Sequence, residues 1–247
     1  MGVLAQNLQR WVNAALSFAY PEFCQTCGNA RATPEDCFVC PSCRDNIKFL
    51  QPPFCERCGL PYQGAITTSF VCSNCADSEL HFSSARSAVI AKGVLLDIIH
   101  RFKYQRALWF EPLLAGLLID QARADLHRAR WDVIVPIPLH PTRQREREFN
   151  QAERLGRRLS AACKIPLNNR LVCRAVPTRT QTLLSREERR TNVRRAFAMR
   201  AKDRLKGQRI VLVDDVFTTG ATSSACARIL RDAGASEVCV WTVARGI

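Results

Sequence analysis

Nine of the chain's 13 cysteines fall between Cys24 and Cys75, and no other feature of the 247 residues restricts the possible folds so sharply. Eight of the nine form four Cys-x-x-Cys pairs: Cys24/Cys27, Cys40/Cys43, Cys55/Cys58 and Cys72/Cys75. Twelve residues lie between the first two pairs and 13 between the last two, loop lengths that let two pairs close on one tetrahedral ion. The spacing predicts two structural zinc sites. Four thiolates leave no open position for water, so a catalytic zinc is not expected. Glycines follow the pairs in CQTCG and CERCG, where a tight turn lets backbone N–H groups face the thiolates. Cys37 leaves the register open, because Cys37/Cys40 is also a Cys-x-x-Cys pair.

Charge divides the chain at the same place. Residues 1–80 carry five Lys/Arg against seven Asp/Glu, whereas the remainder carries 31 against 15. Such an excess attracts polyanions, nucleic acid or a phosphorylated small molecule, without choosing between them. Residues 1–20 place Leu4, Leu8, Trp11 and Ala15 at helical spacing and predict an amphipathic helix. That segment has neither a basic start nor an uninterrupted apolar run, so neither a signal peptide nor a membrane span is expected. The expected compartment is the cytoplasm, where clustered cysteines more often hold metal than form disulfides. The resulting division is a helix over 1–20, a zinc-binding module over 21–80 and a larger domain over 85–247.

The larger domain alternates apolar strands with amphipathic helices. SAVIA, WDVIVPIPL, RIVLVDDV and EVCVWTVA read as strands; GVLLDIIHRFKY, EPLLAGLLIDQARADL and TGATSSACARILRDAGA read as helices, the last closed by Gly234. Strand, helix and strand at this spacing predict a parallel sheet flanked by helices, an α/β fold whose ligands sit at the carboxyl ends of the strands. VLVDDVFTTGAT lies at such an end. Thr218-Thr219-Gly220-Ala221-Thr222 opens a helix whose first N–H groups and dipole favour an anion, which makes a phosphate cradle. Asp214 and Asp215 would repel a phosphate but suit the hydroxyls of an attached sugar, directly or through a divalent cation. A Walker-B reading lacks its partner, since no G-x-x-x-x-G-K-[ST] occurs in the chain. A plain strand-to-helix turn with a threonine cap would not need two acids.

VLVDDVFTTGAT resembles the phosphoribosyl-pyrophosphate (PRPP) signature of type I phosphoribosyltransferases. With the cysteine pairs, IIHRFKYQ, VIVPIPLHPTRQREREFNQAERL and TQTLLSREERRTNVRRAF, the chain resembles the ComF/GntX group over nearly its full length. The resemblance implies a type I phosphoribosyltransferase fold behind a small N-terminal module of four-cysteine zinc sites, with Mg²⁺ accompanying PRPP. It places Asp214 and Asp215 on the ribose as the catalytic pair, and Thr218, Thr219, Gly220, Ala221 and Thr222 on the 5′-phosphate. Pro136, Ile137, Pro138 and Leu139 would form the pyrophosphate loop, with Arg143 just beyond it. The stretch Arg179–Arg195 would be the loop that closes over the site. Two residues depart from the pattern: Glu148 stands where family members generally carry glycine, and Thr218 stands where purine-salvage members carry an aspartate.

The implied activity is transfer of a phosphoribosyl group to an acceptor with release of pyrophosphate. The competing reading is a binding protein of DNA uptake that holds single-stranded DNA beside a helicase partner, with PRPP or a nucleotide as regulator. Three features read two ways. The basic run Arg179–Lys206 is either a closing loop or a solvated helix face, Lys103 faces phosphate or solvent, and His140 touches ligand or is structural.

Overall fold

The computed structural model describes residues 22–62, 64, 68–175, 196–200 and 205–247. The amphipathic segment over 1–20 and the arginine-rich stretch 179–195 lie outside the described residues. The chain forms two compact units, Met1–Asn46 and Ile47–Ile247. No helix among the described residues is long and apolar enough to cross a membrane.

In the first unit the thiols of Cys24, Cys27, Cys40 and Cys43 lie within 4.8 Å of one another. Zinc–sulfur bonds of about 2.3 Å make a tetrahedron with edges of about 3.8 Å, and Cys27 Sγ stands 3.8 Å from Cys40 Sγ. The Cys40 N–H donates to Cys24 Sγ at 3.3 Å. Burial opposes ionisation of Cys24, but the N–H groups of Cys27 and Cys40 and the Thr26 hydroxyl outweigh it and hold the thiol at about 5. Cys37 stands outside the cluster. It takes φ 52° and Phe38 φ 56°, in a turn closed by bonds from their N–H groups to Pro34 O and Thr33 O. The chain then straightens into Cys40 and helix α1 (Pro41–Asp45), which fixes the register on Cys43.

The second unit begins with the same device. Cys55, Cys58, Cys72 and Cys75 gather their thiols within 4.8 Å, the Cys72 N–H donates to Cys55 Sγ at 3.3 Å, and α2 (Ser73–Ala76) follows. This cluster is part of the hydrophobic core rather than an appendage. Cys55, Cys58 and Cys75 are buried with Phe82, Val135, Phe217, Leu230 and Val240. The Ala85 N–H donates to Arg57 O at 2.8 Å. At Gly59, which has φ +64°, a Cβ would stand 2.8 Å from Ala85 O, so only glycine permits the knuckle to approach that strand.

The sheet joins β1 (Ser84–Ile90), β2 (Val133–Pro136), β5 (Arg209–Phe217) and β6 (Glu237–Arg245) in the order β1-β6-β5-β2, and every pairing is parallel. Parallel strands are buried on both faces and read as continuous apolar runs; β6 is the example, buried from Val238 to Arg245. Helices α4 (Glu111–Ala129) and α6 (Gln151–Cys163) pack together on one face, and α7 (Ala221–Asp232) packs against the other. A short antiparallel hairpin, β3 (Val172–Arg174) with β4 (Phe197–Met199), sits beside α7. Helices α3 (Val94–Tyr104) and α5 (Pro141–Arg147) stand beyond strand ends. Four parallel strands covered on both faces, with the acidic end of β5 leading through a Thr-Thr-Gly turn into α7, make the type I phosphoribosyltransferase fold.

With the first cluster closed by Cys43, Cys37→Ser should leave two zinc ions per chain by metal analysis. Loss of one ion in that variant would move the ligand register to Cys37.

Candidate functional site

Strand β5 delivers its two aspartates to opposite sides because successive strand residues alternate. Asp215 is buried at 4% exposure on the α6 side. The Lys103 ammonium of α3 donates to its Oδ2 at 2.8 Å, and Gln151 Nε2, at the start of α6, approaches the same oxygen at 3.5 Å. Its other oxygen accepts from the Val216 N–H at 2.7 Å. The half-buried Asp214 accepts from the Asp215 N–H at 2.9 Å. Burial first, then the neighbouring Asp215 carboxylate, push Asp214 up to about 7, while Lys103 opposes them. One carboxylate is therefore compensated by the protein and the other is poised for a cation or a donor.

Beyond the aspartates the chain turns into α7 through Gly220, which takes φ +77°. A Cβ there would meet the ring of Phe217 at 2.6 Å. The αL conformation and the ring beneath it both require glycine. The Ser224 N–H returns to Gly220 O at 2.8 Å, so the amides of the first helical turn precede any intrahelical partner. Among the described residues Ala221 N–H reaches Thr219 Oγ1, at 3.4 Å.

Opposite this turn runs the segment after β2. Ile137 N–H donates to Val213 O at 2.9 Å, and the buried Asn150 holds the other side, its amide donating to Ile137 O at 3.1 Å. The same Asn150 caps α6 by accepting the Ala152 N–H at 3.0 Å. Glu148, at the C-terminal cap of α5, has φ 66° and ψ −10°, the left-handed conformation that glycine adopts without a Cβ penalty. Its carboxylate pairs with Arg106 at 2.8 Å, both largely exposed, a contact of small energetic worth.

These segments enclose a cleft of about 360 Å³. Of the residues expected to bind ligand, Asp214, Asp215, Thr218, Thr219, Gly220, Ala221, Thr222, Ile137, Pro138, Leu139 and Arg143 all line it. Pro136 is instead buried as the last residue of β2. Lys103 lines the cleft through its ion pair, whereas His140 is not among the lining residues and its Nδ1 accepts the Thr142 N–H at the start of α5.

The cleft also contains residues not singled out from the sequence. Arg147 lies over the Tyr104 ring at 4.7 Å. Arg174, from β3, lies over the Phe197 ring at 5.4 Å; burial, then the nearby Arg143, lower its pKa, while Asp214 opposes. Gln151 is buried at 3% exposure, and its Oε1 has no hydrogen-bond partner among the described residues. Arg147 and Gln151 flank the Glu148 position in REREFNQ, so that motif holds a signal for both. Arg174 has none, because a separate hairpin carries it into the cleft.

Residues 15–76 match the double zinc ribbon domain family. Competence protein F of Haemophilus influenzae is 35% identical over 214 residues, covering 84% of this chain and 90% of that protein. DNA utilization protein YhgH of Escherichia coli is 31% identical over 215 residues, covering 85% and 89%. Competence protein ComFC of Bacillus subtilis is 29% identical over 224 residues, covering 84% of each. Among solved structures, an adenine phosphoribosyltransferase aligns with 57% of this chain and 75% of its own at 15% identity and a TM-score of 0.36, too loosely to add to the fold read from the sheet. The identity to competence protein F, sustained across most of both chains, places this chain in the competence protein F family.

Proposed function

We propose that the cleft binds PRPP together with Mg²⁺ and that the protein transfers the phosphoribosyl group to an acceptor, releasing pyrophosphate. The observation that carries this reading is the pairing, in one cleft, of a positive-φ glycine turn at a helix start with the charge-crowded Asp214 and the buried, unpartnered Gln151 Oε1. Amides of the Thr218–Thr222 turn suit the 5′-phosphate, because they have no intrahelical partner and stand at the positive end of the α7 dipole. Asp214 and Gln151 Oε1 suit the hydroxyls of the attached ribose: a hydroxyl supplies the donor that Gln151 Oε1 lacks, and it adds to the Asp215 N–H on a carboxylate crowded by its neighbour. Arg143, Arg147 and Arg174 suit the pyrophosphate, whose charge grows as the bond to the anomeric carbon breaks. Mg²⁺, when bound, supplies further neutralisation of that charge.

In this scheme the chain's residues orient the sugar and hold the leaving group while a nucleophile attacks through an oxocarbenium-like state. Asp214 and Asp215 are the only carboxylates among the described lining residues, and Thr218 stands where, by the resemblance, purine-salvage enzymes carry an aspartate. An acceptor whose nitrogen must lose a proton to a carboxylate base is therefore poorly served here. The names of the relatives, competence and DNA utilization, support a second reading in which the same arginines and Lys103 hold the phosphates of single-stranded DNA during uptake. The net charge of +14 favours it as well.

Protonation of Asp214 competes with ribose and cation, so the sign of the pH effect follows. The carboxyl titrates near 7 in the free protein and must be ionised in the complex. Affinity for Mg²⁺·PRPP should rise by up to about tenfold per pH unit below 7 and level off above about 8. Asp214→Asn should weaken binding by about ten- to a hundredfold and flatten this dependence, measured by calorimetry. A variant that binds as tightly as the parent would remove Asp214 from the site. Incubation with Mg²⁺·PRPP and a panel of bases and amines should release pyrophosphate with one of them, and release with none would leave binding without transfer. For the DNA reading, affinity for an oligonucleotide should fall steeply between about 50 and 200 mM salt, and binding insensitive to salt would contradict it.

A further inference from the structure

The last residue of β6 that pairs with β5 is Arg245, and it is buried at 6% exposure. Its guanidinium reaches in two directions. On one side Nε donates to the carbonyl of Cys58 at 3.2 Å, and Nη2 lies 3.8 Å from Cys58 Sγ. On the other, Nη1 donates to Phe217 O at 3.1 Å and Thr218 O at 2.6 Å, and it also meets Gly246 O. The guanidinium plane rests 4.9 Å from the centre of the Phe217 ring, the ring that fixes the position of Gly220. One buried cation thus bonds both to a zinc ligand of the second cluster and to the first residues of the phosphate turn.

Among the described residues the Phe217 carbonyl also accepts the Gly246 N–H at 2.8 Å, whereas the Thr218 carbonyl is held by Arg245. Thr218, Thr219 and Ala221 line the PRPP cleft on one side and, on the other, a second cleft of about 390 Å³ that reaches the Cys58–Cys75 knuckles. A strip of backbone with a cleft on either side depends in part on what holds its carbonyls. Arg245 can hold them, because a planar fork with five donors satisfies several acceptors in fixed directions, and an ammonium cannot.

We infer that Arg245 is a positioning residue through which zinc in the second cluster and phosphate in the Thr218–Thr222 turn stabilise each other. Zinc fixes the Cys55–Cys58 knuckle, the knuckle orients the guanidinium, and the guanidinium sets the turn in its phosphate-binding shape. By linkage the coupling runs both ways, so a phosphate ligand must tighten the hold on zinc by the same factor as zinc tightens the hold on the ligand. This inference rests on the phosphate-binding reading of the turn.

The test uses the full chain loaded with zinc, ribose 5-phosphate as the probe and a coloured chelator to follow metal release. At equilibrium with the chelator, saturating ribose 5-phosphate should reduce release of one of the two zinc ions, its affinity rising by about fivefold or more, the lower range of typical coupling between sites. Arg245→Met should weaken ribose 5-phosphate binding by about tenfold and abolish the ligand's effect on zinc release. Arg245→Lys keeps the buried charge but reaches fewer carbonyls; it should lose most of the coupling while melting cooperatively, and it decides the matter if the methionine variant does not fold. Ribose 5-phosphate that binds the parent without altering zinc release overturns the coupling and leaves the phosphate site standing. Parental behaviour of Arg245→Lys in both measurements does the same. Absence of binding to the parent overturns both.

Discussion

Two carboxylates on consecutive residues of a buried strand cannot both be left uncompensated, and much of the cleft is organised around that constraint. Strand alternation separates Asp214 from Asp215, and the two are handled differently. Asp215 is buried with a lysine and a glutamine against it, so removing Lys103 would strand a charge in the interior. Asp214 has no such cation bonded to it among the described residues, and its carboxyl is pushed up to about 7 by burial and by Asp215. The arrangement leaves an unfavourable charge in the cleft, which a ribose hydroxyl or a divalent cation would relieve. The surrounding elements can be read from this need: α3 brings Lys103, α6 brings Gln151, and the β3–β4 hairpin brings Arg174.

The two cysteine clusters share a local design and differ in their settings. Each uses an N–H from its third cysteine to its first thiol. The first cluster lies in the unit Met1–Asn46, whereas the second lies in the unit that also contains the sheet and the cleft. There its cysteines are core residues, pressed against β1 at Gly59 and bonded to Arg245. The second set of thiols is therefore packed into the α/β domain itself.

The sheet is legible in the sequence because its strands are apolar runs. RIVLVDDV and EVCVWTVA correspond to β5 and β6 almost residue for residue, and the helix over GVLLDIIHRFKY corresponds to α3. SAVIA understates β1, which begins at Ser84 because its polar first residues still find register partners in β6. WDVIVPIPL overstates β2, which stops at Pro136 where the prolines end the ladder. Three-residue strands such as β3 and β4 carry too short a pattern to read, and Arg174 is hidden with them. The glycine preference at position 148 points to an αL residue, and Glu148 takes that conformation despite its Cβ. Arg245 is invisible for a different reason: its partner Cys58 is 187 residues away in sequence, and nothing local marks a lone arginine near the end of a strand as the link between a metal knuckle and a turn.

Whether VLVDDVFTTGAT forms a phosphoribosyl site is decided by a crystal structure of the full chain grown with Mg²⁺ and PRPP. The account predicts the 5′-phosphate within hydrogen-bond distance of the amides of Thr219 to Thr222, the ribose hydroxyls on Asp214 and Gln151, and the pyrophosphate between the segment Ile137–Arg143 and Arg174. PRPP bound elsewhere, or an unoccupied cleft in crystals saturated with it, would contradict the account.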